Sequence, residues 1–294
     1  VTERPADFVL PVDKPEGPTS HDVVAKARKA LSERRVGHTG TLDPFASGLL
    51  LLCVGKATRL AEYFSGLDKE YEAEARLGIA TDTLDREGSV VAESEGWTEV
   101  TQESLEAALG TLRGEIEQVP PQFSAKKVEG ERAYKSARDG RRVELPPVAV
   151  TVHELTLTEV ELPLVRFRVR CSSGTYVRAL ARDLGAALGV GAHLTALRRT
   201  AVGPWGVEGA LSLEDLGDPA LVMRAMVRPL EALAHLPTLA VDAAAAGRLA
   251  HGQAVELPTA APPAGLVAVA HEGALVAVGE AEEGVIRPRK VFAA

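Results

Sequence analysis

Asp43 sits in the stretch Gly37-His38-Thr39-Gly40-Thr41-Leu42-Asp43-Pro44, where two glycines and a proline within eight residues specify a turn around one carboxylate. Gly37 and Gly40 permit a positive φ or a close backbone approach, and Pro44 stiffens the chain just past the acid. A carboxylate so placed either caps a turn or helix or acts as a nucleophile or base. Two distant residues bear on that choice. Tyr71 faces inward from an alternating segment, which makes it core unless a catalytic group lies beside it. Arg178 falls in the first turn of a helix, at the positive end of the dipole, where a cation calls for a carboxylate or a phosphate opposite. Cys53 and Cys171 lie in apolar or alternating runs and read as buried thiols, and no metal-ligand spacing is present.

The elements that must hold these residues follow from periodicity. Phe8 to Lys14 reads as a strand, and Thr19 and Ser20 cap a helix with Val23, Val24, Ala27, Ala30 and Leu31 on one face. The Asp43 turn leads into a buried run, Leu49 to Val54, and Lys56 to Phe64 reads as a short helix. Lys69 to Gly78 alternates, with Tyr71, Ala73, Ala75 and Leu77 to one side and Glu70, Glu72, Glu74 and Arg76 to the other, so it is a half-exposed strand. A polar loop with Asp82 and Asp85 follows, and Thr101 caps a helix that closes near Gly114. Val148 to Leu157 and Arg166 to Cys171 are again strands. The second turns through Ser172 to Thr175 into a helix with Val177, Leu180, Ala181, Leu184 and Leu188 as its apolar stripe. Thr200 to Gly206 reads as a terminal strand and turn. Short helical pieces from Leu211 to Leu233 lead to a boundary near His235 to Pro237, and the glycine-punctuated strands beyond it are those of a small β module.

With 294 residues, 46% of them hydrophobic, the chain can form one large domain and a small one. It has no apolar run near 18 residues and a polar start, so the expectation is a cytoplasmic protein without a membrane partner. The net charge of −8 argues against indiscriminate nucleic-acid binding, yet the charge is unevenly placed. Asp82 to Glu117 is strongly acidic. Lys126 to Arg142 carries seven bases against three acids, with Phe123 and Tyr134 interleaved, and reads as an inserted arm that contacts RNA or as a surface hairpin without a partner. Arg166 to Arg199 carries seven arginines against Asp183, a second basic segment. Together the two suggest a localised surface for a polyanion.

These residues also carry a resemblance. Asp13-Lys14-Pro15, Gly37 to Pro44 with Ala46, Gly48 and Leu49, Lys69-Glu70-Tyr71, Arg76-Leu77-Gly78, Thr81-Asp82-Thr83 with Asp85 and Gly88, Pro120 to Ala125, Ala137-Arg138 with Gly140, Gly174 to Arg178 and Leu197 to Thr200 occur in order over about the first 205 residues. In this the chain closely resembles the TruB family of bacterial tRNA pseudouridine synthases. The tail, with His251-Gly252-Gln253 and Gly279-Glu280, is similar to the family's PUA domain.

The resemblance implies an α+β fold, with a synthase core of a mixed, largely antiparallel sheet and flanking helices, followed by a small β-rich PUA-like domain. It places the catalytic domain at residues 1–235, with an RNA-gripping insertion at about 120–146, and the PUA-like domain at 236–294. It implies isomerisation of uridine 55 in the T arm of tRNA by base flipping, with no cofactor, no metal, no guide RNA and no obligate protein partner. Asp43 matches the essential aspartate, Arg178 the arginine that pairs with it and with Asp85, and Tyr71 the tyrosine that packs on the flipped base. His38 matches a histidine that occupies the path vacated by the base, and Lys14 a structural or phosphate-facing lysine. Tyr176 falls within the substrate-binding match. Lys126, Lys127, Arg138, Arg141 and Arg142 belong to the RNA grip. Two other readings stand beside this one: a catalytic subunit of a guide-RNA-dependent synthase, and a non-catalytic tRNA-binding or chaperone protein.

Overall fold

Ten strands form one mixed sheet. Its main order is Leu211–Ser212, Phe8–Lys14, Ser47–Val54, Ala192–Val202, Lys69–Leu77, Leu164–Cys171, Val148–Glu161 and Gly114–Gln118, with Val36–His38 paired to Ser47–Val54 and Trp205–Gly206 paired to Ala192–Val202. Two junctions are parallel, Phe8–Lys14 with Leu211–Ser212 and Ser47–Val54 with Ala192–Val202, and the others are antiparallel. The computed structural model describes residues 6–123, 127–128, 131–132, 145–256 and 264–292.

The predicted alternation of Lys69–Leu77 is realised at the middle of this sheet. Tyr71, Ala73, Ala75 and Leu77 are buried against a core that includes Leu105 and Leu109 of the helix Gln102–Gly110 and Leu180 and Leu184 of the helix Val177–Ala187. A second core lies under the helix Ser20–Leu31. That helix is closed at its start by a reciprocal capping box, in which Asp22 N–H donates to Thr19 Oγ1 at 3.1 Å and Thr19 N–H to the Asp22 carboxylate at 2.8 Å.

Three expectations need correction. The strand expected at Thr200 to Gly206 begins earlier: it is the end of Ala192–Val202, a central strand of the sheet, followed by a turn and the short strand Trp205–Gly206. The ladder of Ala192–Val202 with Lys69–Leu77 shifts register between Leu194 and Ala196 and between Arg199 and Ala201. These bulges break the period of two by which a strand is read. The arginines of Arg166 to Arg198 do not form an open basic surface either. Arg166 pairs with Glu74 and Glu159, Arg168 with Glu70 and Glu72, Arg170 with Asp68 and Glu154, and Arg198 with Asp13. Cross-strand pairing with acids of the neighbouring strands neutralises the patch. Finally, neither Gly37 nor Gly40 takes a positive φ; the glycine this region requires is Gly48, at φ +103, where a Cβ would stand 2.2 Å from the Arg199 carbonyl oxygen.

In the insertion, Lys127–Val128 pairs with Glu131–Arg132. Lys126, Arg138, Arg141, Arg142 and Tyr134 lie outside the described residues, as do the side-chain contacts of Lys127.

Thr238–Ala240, Gly265–His271, Ala274–Glu282, Val285–Val291 and Val255–Glu256 form a separate five-stranded sheet in that order, accompanied by the helix Ala243–Ala250. It packs on the first unit through one apolar cluster joining Val9, Leu51 and Phe64 to Ala268, Leu275 and Val278. Arg59 adds to the seam by lying over the Phe292 ring and donating to the Val291 carbonyl at 2.6 Å. Among the described residues no helix is long and apolar enough to cross a membrane.

Candidate active site

A cleft of about 780 Å³ opens above the central strands, lined by the Asp43 loop, Tyr71, Asp85, the segment Gly174 to Arg178, Leu197 and Arg199. Four sequence-predicted residues, Asp43, Tyr71, Asp85 and Arg178, therefore meet in one place. They come from positions as far as 135 residues apart in the chain.

The start of the helix Val177–Ala187 explains how Arg178 is placed. Tyr176 is extended and its backbone is held on both sides by one side chain: its N–H donates to Gln118 Oε1 at 2.8 Å, and its carbonyl accepts from Gln118 Nε2 at 3.2 Å. Gln118 is itself buried at the end of an edge strand. This fixes the first turn, and Arg178 reaches from it into the cleft floor with only 6% of its side chain exposed.

Arg178 makes four hydrogen bonds and a further ion-pair contact. Nε lies 2.9 Å from Asp43 Oδ2, and Nη2 donates to Asp43 Oδ1 at 3.3 Å, a two-point grip on the carboxylate. Nη1 donates to Asp85 Oδ2 at 3.2 Å and to the Thr83 carbonyl at 2.8 Å, and Nη2 also donates to the Phe123 carbonyl at 2.9 Å. Asp85 is oriented in turn by the Thr83 hydroxyl at 2.6 Å and the Glu87 N–H at 3.1 Å. Of the two acids on Arg178, Asp85 is sealed in while the Asp43 side chain remains 35% exposed toward the cleft. Burial pushes the Asp43 carboxyl above the usual carboxylate range, with Arg178 pulling it back down and Asp85 raising it further.

Lys14 is not among the residues that line the cleft. It is fully buried, and its ammonium donates to the carbonyls of Pro15, Pro44 and Ala46 at 2.9, 3.3 and 2.6 Å, pinning the turn just after Asp43 from below. Of the two roles the resemblance left open for it, this geometry is the structural one. Burial brings its pKa down to about 8.

His38 is half-buried, edge-on to His21 with ring centroids 5.5 Å apart, and His21 is the member of the pair that lines the cleft. His38 Nδ1 is buried without a hydrogen-bond partner among the described residues, and burial, followed by His21 and Arg199, lowers its pKa.

Arg199 is the residue that sequence reasoning missed. It is 2% exposed, donates from Nε to the Leu49 carbonyl at 2.7 Å, and reaches the carbonyls of Thr41 and Gly40 at 3.4 and 3.1 Å. In the ladder it stands opposite Tyr71. Arg199 thereby ties the Asp43 loop, the buried strand and Tyr71 into one unit. Burial raises the Tyr71 phenol pKa, and Arg199 acts in the opposite sense. The signal for it lay in the sequence as one arginine of the pair Arg198-Arg199, without any means of telling which turns inward.

Cys53 and Cys171 are buried as expected, and burial lifts their thiols to about 12 and about 11, so neither is a thiolate at neutral pH.

Comparison with known proteins gives a consistent picture. Residues 28–177 match the TruB family pseudouridylate synthase N-terminal domain, 178–235 the tRNA pseudouridylate synthase B C-terminal domain, and 237–292 the pseudouridine synthase II TruB C-terminal domain. The tRNA pseudouridine synthase B of Thermobifida fusca is 48% identical, covering 98% of this chain and 99% of its own, and that of Aromatoleum aromaticum is 46% identical, covering 98% and 93%. Among solved structures, a chain of an H/ACA RNP bound to a substrate RNA containing 2'-deoxyuridine superposes with a TM-score of 0.76 at 29% identity, covering 98% of this chain and 85% of that one. A chain of a Cbf5-Nop10-Gar1 complex does so with a TM-score of 0.76 at 31% identity, covering 97% and 85%.

Proposed function

The chain belongs to the TruB family of pseudouridylate synthases, and on that premise we propose that it isomerises uridine 55 in the T arm of tRNA to pseudouridine, using the cleft around Asp43 and no guide RNA. The observation that carries this reading is the placement of one partly exposed carboxylate, Asp43, in a two-point grip from a buried arginine that a second, sealed carboxylate also holds. Arg178 keeps Asp43 oriented and favours its charged form, so the acid enters the reaction as an anion that is not free to turn. It then attacks the ribose carbon, attacks the base, or removes a ribose proton. Each route breaks the bond from ribose to N1 and rejoins the sugar to C5.

The target base lies stacked in a folded loop and must be turned out into the pocket, at a cost of a few kcal/mol. Tyr71 and Leu197 offer the apolar walls for it, and the backbone from Gly174 to Tyr176 forms the rim. Tyr71 packs on the base; as the group that takes the C5 proton it works against a phenol pKa that burial raises. We assign the RNA grip to Lys126, Lys127, Arg138, Arg141 and Arg142, which would contact phosphates rather than base edges. Residues 1–235 are then the catalytic domain and 236–294 the PUA-like RNA-binding domain.

The likeness to chains of an H/ACA RNP and of a Cbf5-Nop10-Gar1 complex, at 29% and 31% identity, favours a second reading in which a guide RNA and further subunits are required. The near-full-length identities of 48% and 46% to tRNA pseudouridine synthase B outweigh it. The test is to incubate an unmodified tRNA transcript with this protein alone and map pseudouridine by mass spectrometry. Pseudouridine at position 55 is expected. Conversion only after guide RNA and partner proteins are added, or tight binding without conversion, would overturn the proposal in favour of one of the two rivals.

A further inference from the structure

Lys69 has no role in the account so far, yet it lines the same cleft. It lies two residues before Tyr71 on the same face of its strand and is 8% exposed. Its ammonium donates to the carbonyls of Ser65 and Leu67, both at 2.6 Å. An ammonium has three hydrogens. Among the described residues the third has no acceptor.

The groups around it make this cation unusual. Across the ladder on one side stands Cys171, protonated at neutral pH, and on the other strand Arg199 adds a second positive charge. The two acids adjacent in sequence are already engaged, Asp68 by Arg170 at 3.5 Å and His153 at 3.1 Å and Glu70 by Arg168 at 3.8 Å. Lys69 and Arg199 therefore place two cations beside the buried Tyr71, and among the described residues no carboxylate bonds either of them. Asp43 and Asp85 are held by Arg178. A floor with that sign suits a ring that becomes negatively charged during the reaction.

Uracil does so in the chemistry proposed above, on which this inference rests. When the bond from C1′ to N1 breaks, its electron pair stays on the base and spreads over N1 and the carbonyl oxygens. After the ring turns, a pair at C5 forms the new bond to C1′, the C5 proton leaves to a base, and N1 takes up a proton. We propose that Lys69 is a further catalytic residue, its third N–H donating to a uracil carbonyl oxygen as charge builds on the detached base. Lys69 keeps its proton throughout and acts as a fixed donor.

Burial brings the Lys69 pKa down to about 8, so the donor charge is lost within an accessible range. The test is the single-turnover rate of pseudouridine formation on a tRNA transcript between pH 6 and 10 for the wild type, Lys69→Arg and Lys69→Met. Loss of one such donor lowers a rate by about 10²–10³-fold, which is the effect expected for Lys69→Met at pH 7, with tRNA affinity changed by less than about threefold. The wild-type rate should fall above pH 8. In Lys69→Arg that fall should vanish, because a guanidinium stays charged. A wild-type rate flat from pH 7 to 9 would overturn the proposal even if both variants failed to fold. So would a Lys69→Met protein that melts lower yet turns over at the wild-type rate, since that is what a mere strut for Ser65 and Leu67 would show. If the wild type forms no pseudouridine, it is the functional reading that falls. Wild-type conversion with an indifferent Lys69→Met removes this inference alone.

Discussion

Arginine appears in two settings in this molecule, on opposite sides of the same central strands, and the settings give it opposite meanings. In the cleft, Arg178 is 6% exposed, meets two carboxylates and two backbone carbonyls, and leaves one acid facing open space. On the outer face, Arg166, Arg168 and Arg170 are 45%, 56% and 42% exposed and stand in a ladder with Glu70, Glu72, Glu74, Glu154, Glu159 and Asp68. Water screens the ladder, so each of its pairs contributes little. The buried pair is different because removing one partner leaves a charge stranded. Charge counted along a sequence does not separate these cases; burial and partner do.

Substitutions separate the two settings. The largest effect belongs to Asp43→Asn, which keeps the shape and removes the charge; pseudouridine formation should fall by more than about 10⁴-fold while tRNA binding is retained, as measured by single-turnover rate and filter binding. Next is Arg178→Met, which strands Asp43 and Asp85 and should cost about 3–5 kcal/mol in urea unfolding as well as activity. Gly48→Ala probes the packing beneath the site, where the new methyl meets the Arg199 backbone at a strained φ; a loss of about 2 kcal/mol or more is expected by thermal melt. A pH profile gives a smaller and graded effect. Because Asp43 must be charged and burial raises its pKa, the rate should fall on acidification beginning above the pH at which an ordinary aspartate protonates. The smallest effect is that of Arg168→Gln, which should change stability by less than about 1 kcal/mol and leave the rate unaltered.

Much of the scaffold is legible in the residues because it is periodic. The alternation of Lys69–Leu77 and the cap and stripe of Ser20–Leu31 follow from simple periods and are realised, except that Ala30, expected on the apolar face with Val23, Val24, Ala27 and Leu31, is exposed. Asp43, Tyr71, Asp85 and Arg178 are legible as a set through family resemblance, and the structure brings them together in one cleft. What escapes reading lies where period or exposure fails as a guide. Arg199 shares the inward face with Leu197 by ordinary alternation while Arg198 faces out to Asp13, but the bulges on either side of this stretch interrupt the period by which the strand is read. Lys14 looks like a surface cation, yet three backbone carbonyls make its complete burial possible. The glycine that matters is Gly48, since its need comes from a strand that arrives about 150 residues later in the chain.

The most direct test sets the two kinds of charge against each other in one assay: single-turnover pseudouridine formation on the same unmodified tRNA transcript by the wild type, Asp43→Asn and Arg168→Gln, with no other component added. The expected result is wild-type conversion by Arg168→Gln and none above background by Asp43→Asn. Appreciable turnover by Asp43→Asn would contradict it.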